Sequence, residues 1–106
     1  MSVIRQAIEG IQYQGADEQI AYTITATPWG STPTSTSAKI YSYAPATDAY
    51  TDTTSTNMTG STSVSGDVIT LPVIKSLTAG TQYRVEVQFT SSGNIFEPYF
   101  IIQAER

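Results

Sequence analysis

Apolar and polar residues alternate most regularly in the segment from Gln82 to Thr90. Four apolar side chains there are separated by single polar ones: Tyr83, Val85, Val87 and Phe89. A period of two is typical of a β-strand that buries one face. The pattern therefore predicts a strand that turns these four side chains into a core.

Two earlier segments show the same period. From Glu18 to Thr27, four alternate residues share one face: Ile20, Tyr22, Ile24 and Ala26. From Ser37 to Tyr43, Ala38 and Ile40 share the inner face, so Tyr41 and Tyr43 share the outer one. Pro28 and Pro45 follow the two segments and end them.

Turn residues separate two further strands. Gly66 belongs to a turn before the short strand Val68 to Leu71, and the turn Ser91 to Asn94 precedes a last strand, Ile95 to Ala104. In that second turn we expect Gly93 or Asn94 to take a positive φ. Pro98 interrupts the last strand, which predicts an edge position or a bulge there.

Two segments leave alternatives open. Apolar residues between positions 3 and 11 are spaced as on a helix, but we favour an irregular first strand because the later strands need a partner. From Thr47 to Ser63, ten of the seventeen residues are Thr or Ser. We interpret this segment as an edge strand with a solvated connection; the alternative is a glycosylated or ligand-contacting loop. It contains a formal N-glycosylation triplet, Asn57-Met58-Thr59.

About seven strands separated by turns predict an all-β fold, a sandwich of two antiparallel sheets. With 106 residues, the chain has room for one such domain, residues 1–106. Thr and Ser dominate the chain, Tyr appears seven times and strong helix formers are few, which agrees with a pleated, half-buried architecture.

The types of side chain in the sequence exclude several kinds of functional site and partner. The chain has no Cys and no His, so we expect no disulfide, thiolate nucleophile, histidine base or Cys/His zinc site. Five Lys and Arg stand against nine Asp and Glu, and the cations are dispersed, so we expect neither nucleic acid nor an anionic membrane as a partner. We predict a non-enzymatic protein without cofactor or metal. The first residues lack the apolar run of a signal peptide, and the localisation stays open.

Aromatic residues are the remaining candidates for binding, since Trp and Tyr anchor protein partners and stack on sugars. Trp29 lies between Pro28 and Gly30, either as a lid on the end of the sandwich or as an exposed anchor. Tyr41 and Tyr43 share the outer strand face, where they mark a partner surface unless the Thr-rich segment covers them.

The run from Leu77 to Val87 resembles the junction between the fifth and sixth strands of fibronectin type III domains, an immunoglobulin-like family of β-sandwiches. In that family a Leu and a Gly precede a Tyr, as Leu77, Gly80 and Tyr83 do here, and alternating Val residues follow. The resemblance implies a tyrosine corner, in which the Tyr83 hydroxyl bonds to backbone a few residues upstream.

The order of elements also resembles that of short phage-encoded immunoglobulin-like proteins, including tail or fibre adaptors and accessory proteins. Those proteins carry a Glu and a Tyr-containing strand, here Glu18 to Tyr22, and end with a Gly-x-x-Tyr-x-Val strand, a Ser-Gly turn and a final strand. The resemblance implies a structural or protein-interaction module of a virion or prophage particle that binds a protein or self-assembles. The alternative is an extracellular adhesion or carbohydrate-binding module from a longer chain.

Overall fold

The computed structural model of the chain describes residues 6–26 and 32–106, and within these ranges it is almost entirely β-structure. The described elements, in chain order, are β1 (Gln6–Gly15), β2 (Thr23–Thr25), β3 (Thr34–Ala44), β4 (Ala49–Asp52), α1 (Thr54–Asn57), β5 (Met58–Thr59), β6 (Ser63–Ser65), β7 (Val68–Thr70), β8 (Val73–Ile74), β9 (Gln82–Ser91), β10 (Asn94–Phe96) and β11 (Tyr99–Glu105). The all-β prediction is confirmed. The strand segments in the described ranges outnumber the seven expected, because several are only two or three residues long.

The larger sheet has the strand order β1-β11-β9-β3-β4, and β10 pairs with β9 beside this path. Strand β9 is the middle of the five. The expected sandwich was antiparallel throughout, but β1 runs parallel to β11, with Ile11 opposite Ile101 and Gly15 opposite Glu105. The first strand enters beside the last one and in the same direction, which a long connection through the whole chain allows.

The smaller sheet has the order β2-β7-β6, and β5 pairs separately with β8. The core lies between the sheets, where β9 contributes its four alternating apolar residues as predicted. The core also contains Phe100 and Ile102 from β11, and Ile24 and Ile69 from the smaller sheet. Burial of these alternating faces is the main favourable contribution to such a sandwich.

The predicted strand from Glu18 to Thr27 is shorter than expected. Its alternation is real, since Ile24 and Ala26 are buried while Thr23 and Thr25 are exposed, but only Thr23–Thr25 forms a strand. Before it, one isolated bridge joins Ile20 to Ile74. Between this bridge and the strand, the Leu71 N–H still donates to the Tyr22 carbonyl at 2.8 Å, and Pro72, the next residue, has no N–H to donate.

The Thr- and Ser-rich segment contains the expected edge strand, β4, which pairs with β3. It then forms the helical turn α1, which the sequence analysis did not predict. Asn57 at its end is 3% exposed, and its Nδ2 donates to the carbonyls of Lys75 and Ser76, each at 3.1 Å. The formal glycosylation triplet is therefore a structural element, with its acceptor amide buried in the folded chain.

The hairpin between β9 and β10 confirms the predicted turn with one correction. The residues with positive φ are Ser92 (51°) and Gly93 (81°), which together match a two-residue turn of type I′.

Pro98 does not cause a bulge, since Phe96 opposite Phe89 and Tyr99 opposite Glu86 keep one register. Among the described residues, β10 pairs with β9 alone, so Pro98 marks the point where an edge segment passes into the interior strand β11.

The connection before β9 carries the features expected of Leu77, Gly80 and Tyr83. Leu77 is buried, and Gly80 has φ +87°, which residues with a side chain rarely adopt. The buried Tyr83 accepts a hydrogen bond at its hydroxyl from the N–H of Thr78, five residues upstream, at 2.9 Å. This bond ties the connection to the strand that follows it.

A buried glutamine anchors β1, and no sequence pattern pointed to it. The Gln14 side chain is fully buried; its Nε2 donates to the carbonyls of Ile74 (2.8 Å) and Glu18 (3.0 Å). Its Oε1 accepts from the Tyr22 hydroxyl at 2.9 Å. The amide thus links β1 to the entrance of β2 and to β8, and its polar atoms are satisfied as burial requires.

Candidate protein-interaction surface

The outer face of the larger sheet gathers most of the aromatic side chains that the core does not use. Residues directly opposite each other in a sheet point to the same side, so the strand register defines this face. Tyr41 lies opposite Arg84, Lys39 opposite Glu86, and Tyr43 opposite Tyr50. We call the following set the tyrosine face: Lys39, Tyr41, Tyr43, Tyr50, Arg84, Glu86 and Tyr99.

Tyr43 is held in place by the neighbouring edge hairpin. Its hydroxyl donates to Asp48 Oδ1 at 2.7 Å, and its ring lies 5.0 Å from the Tyr50 ring, centroid to centroid. The hydrogen bond to Asp48, with a smaller contribution from desolvation, raises the pKa of Tyr43 above its ordinary value. The Thr-rich segment therefore does not cover the predicted tyrosine pair; it extends the same surface by one strand and adds Tyr50.

Arg84 lies at the centre of the tyrosine face, on the middle strand β9. Its guanidinium carbon is 4.0 Å from the Tyr99 ring centroid and 6.0 Å from that of Tyr50. Its Nε lies 2.8 Å from Glu86 Oε2, and both side chains are 22% exposed. Contacts between a guanidinium and an aromatic ring stabilise by about 0.5–2 kcal/mol, so this cluster is ordered before any partner binds.

Two shallow, open depressions mark the tyrosine face and share Tyr41 and Glu86. The larger, of about 360 Å³, is completed by Tyr50 and Arg84. The smaller, of about 130 Å³, is more polar and is lined by Ser37, Ala38, Lys39, Tyr41, Glu86, Gln88 and Glu97. Both depressions suit side chains projecting from a flat partner better than they suit an enclosed small molecule.

The outer face of the smaller sheet has a different character. Its outward residues are small or hydroxylated, as at Thr23 and Thr25, and the largest of its apolar members is Val68, 37% exposed. By contrast, Tyr50 on the tyrosine face is 49% exposed and Tyr13, farther along the same sheet, 62%. Large exposed aromatic residues are thus concentrated on one of the two sheets in the described part of the chain.

The structure describes two of the three residues predicted to bind a partner. Tyr41 and Tyr43 lie on the outer face, as their alternation with Ala38 and Ile40 predicts. Trp29, the third candidate, lies outside the described residues. Arg84 and Tyr50 were not among the predicted site residues. Arg84 could have been found as an outward position of the best strand, whereas Tyr50 becomes a neighbour of Tyr43 only through the β3–β4 pairing.

The tyrosine face offers rings, one guanidinium, one ammonium and carboxylates for binding. Among residues 6–26 and 32–106, no group of three His, Cys, Asp or Glu side chains could hold a metal ion. No helix in these ranges has the length and apolar character needed to cross a membrane.

No protein-family model matches this chain, and no curated protein is similar to it. The chemistry of the surface is therefore the basis for assigning a function.

Proposed function

We propose that the protein is a non-catalytic interaction module, an immunoglobulin-like sandwich that binds a protein partner through its tyrosine face. The observation that supports this most is the preorganised cluster of Arg84 with Tyr50 and Tyr99 on the outside of the larger sheet. Aromatic residues and Arg are enriched at protein interfaces and dominate their binding energy.

The size of the face also supports the proposal. The five strands comprise 42 residues, and with about 4.8 Å between strands and 3.3 Å per residue they cover roughly 670 Å². A stable protein interface buries about 800 Å² on each partner. Most of the larger sheet would therefore be covered by one partner.

The strand order supports an immunoglobulin-like assignment. If β2, β3, β7, β9 and β11 are taken as strands B, C, E, F and G, then C-F-G neighbours lie in one sheet and B-E neighbours in the other. The Tyr83 hydrogen bond matches the tyrosine corner of such folds. The parallel pairing of β1 with β11 differs from the seven-strand arrangement, in which the first strand lies beside the second, and it favours a broader immunoglobulin-like class over fibronectin type III.

As a setting we propose a virion or prophage particle, in which such a domain contributes structure and contacts to neighbouring subunits. This setting rests on the resemblance of the order of elements along the sequence to that of small phage-encoded proteins. The identity of the neighbouring genes tests this setting. Neighbouring genes that encode capsid, portal and tail proteins would support it, and neighbouring metabolic genes would oppose it.

A pull-down from the source cells tests the binding function. Three forms of the protein serve as bait: the wild type, a tyrosine variant and a control. The tyrosine variant carries Tyr41→Ser and Tyr50→Ser, which remove two rings from the larger depression without touching the core. The matched control carries Thr25→Ser and Val68→Ser on the other sheet. We expect the wild-type protein and the control to retain the same specific partner and the tyrosine variant to lose it.

Retention of the partner by the tyrosine variant would contradict the proposed surface. The alternative, a carbohydrate-binding module, gives a different result: an oligosaccharide array would bind the wild-type chain, and binding would fall on removal of the same rings. Trp29→Ala extends that array test to the third candidate residue, which lies outside the described residues.

A further inference from the structure

We propose that a second copy of this chain docks on the tyrosine face, with Arg84 of each copy facing Glu86 of the other. This inference rests on the proposed function, since it names the partner of the same surface. The contact is isologous: one patch serves both copies, related by a two-fold axis.

The charge arrangement on β9 selects this geometry. Arg84 and Glu86 are successive outward residues of the middle strand, with Cα atoms about 7 Å apart along it; their side chains pair within one copy at 2.8 Å, which leaves a dipole directed along the strand. A two-fold axis that crosses the strands at their midpoint reverses the strand direction and brings each charge opposite its complement. An axis along the strands would place like charges together, at a cost that specific interfaces avoid.

The neighbouring strand fits the same axis. Tyr41 lies opposite Arg84 in the sheet, and Lys39 lies opposite Glu86. The reversal that joins Arg84 to Glu86 of the second copy therefore places Tyr41 over Lys39 of the second copy. An ammonium over a tyrosine ring is a favourable contact, and the two-fold axis forms it twice.

The surface also avoids the repulsion that opposes self-association elsewhere on the molecule. The chain carries a formal net charge of −4. On the face, however, Lys39 and Arg84 balance Glu86 and Asp52, which shares the side of Tyr41. Glu97, and Asp48 beside the Tyr43 hydroxyl, add two acids at the rim. The centre is therefore close to neutral, and at about 0.15 M salt charges more than roughly 8 Å apart are largely screened.

Charge exchange across the axis provides the test. Arg84→Glu leaves two acids at the centre of the face and Glu86→Arg leaves two bases, so each variant alone should associate with itself at least about 100-fold more weakly than the wild type. A mixture of the two variants restores the complementary pairs and should form a 1:1 heterodimer. Thr25→Glu and Thr23→Arg, exposed changes on the smaller sheet, are the matched controls and should leave self-association unchanged.

Sedimentation equilibrium from micromolar to near-millimolar concentration measures these masses, and near-ultraviolet circular dichroism verifies that every variant keeps its packed core. A wild-type mass that stays monomeric over this range would overturn the inference. Variants that dissociate alone but fail to associate when mixed would also overturn it, since they would show a different geometry. A monomeric wild type that still loses another protein's binding when Tyr41 and Tyr50 are changed would remove the second copy and leave the proposed function standing.

Discussion

At the scale of single residues, the hydroxyl of Tyr83 shows how far a short motif can be interpreted. The order Leu, Gly, Tyr predicted a bond from this hydroxyl to upstream backbone, and it accepts from Thr78 N–H at 2.9 Å. The prediction was accessible because the motif is local, with both partners five residues apart. Tyr83→Phe removes this partly buried hydrogen bond and should lower the free energy of unfolding by about 1 kcal/mol.

Chemical denaturation followed by tyrosine fluorescence measures this loss. Tyr43→Phe is a suitable control, because it also removes one hydroxyl and its hydrogen bond but at an exposed carboxylate. Equal midpoints for wild type and Tyr83→Phe would show that the bond does not stabilise the fold.

Gln14 marks the opposite case, a residue whose importance no sequence pattern revealed. Two of its partners lie 4 and 8 residues away, but the Ile74 carbonyl lies 60 residues away, so only the folded chain completes this network. Gln14→Leu keeps the volume but leaves the Ile74 carbonyl and the Tyr22 hydroxyl without this partner. The Ile74 carbonyl keeps the hydrogen bond from the Ile20 N–H, so the expected loss of about 2 kcal/mol in unfolding free energy comes from the removal of the three hydrogen bonds of Gln14.

The control for this change is Gln88→Leu, the same substitution at an exposed position of β9. It should shift the urea midpoint far less than Gln14→Leu does. Similar shifts for the two variants would mean that the buried amide network contributes nothing specific.

Asp52 gives a prediction about pH. Hydrogen bonds from the Thr54 side chain and from the Thr54 N–H hold the pKa of Asp52 below its ordinary value of 3.8. Because the folded pKa is the lower one, the stabilisation is fully present above the ordinary value and is lost as the pH falls through the folded pKa. NMR titration of the carboxyl carbon should show this depressed pKa, and Thr54→Val should return it part of the way; an unshifted titration would contradict the contact.

At the scale of elements, a strand or helix could be predicted where its apolar residues recur with a regular period. Strand β9 was predictable almost to the residue because its alternation is uninterrupted over nine positions. The helical turn α1 was not, because a run of Thr and Ser has no apolar period to indicate either state. The parallel pairing of β1 was equally inaccessible, since it joins the two ends of the chain and nothing in the local sequence specifies the partner.

The turn of the β9–β10 hairpin yields a prediction at this scale. Ser92 takes a φ of +51°, a conformation that Asn adopts more readily than Ser does. Ser92→Asn creates the Asn-Gly pair preferred in type I′ turns and should stabilise the fold by about 0.5 kcal/mol, whereas Ser92→Val should destabilise it by 1 kcal/mol or more, on the order of the cost of a β-branched residue in this region. Thermal unfolding of the two variants checks the order. If Val were tolerated as well as Asn, the left-handed turn would be wrong.

At the scale of the whole molecule, the inner and outer faces of the sheets have different roles. Their inner faces form the core, and the outer face of the larger sheet carries the candidate binding residues. Tyr41 and Tyr43 were predictable from alternation alone. The cluster they belong to was not, because Tyr50 and Arg84 join it through strand pairing between distant segments.

Site-specific photo-crosslinking in the source cells is the most direct test of this division. A photoreactive amino acid replaces Tyr41 or Tyr50 on the tyrosine face, and Thr25 or Val68 on the smaller sheet, one position at a time. We predict that the two tyrosine positions form a discrete crosslinked product with a protein and that the other two do not. Crosslinks of equal yield from both sheets, or from the smaller sheet alone, would contradict the claim that the protein binds its partner through the tyrosine face.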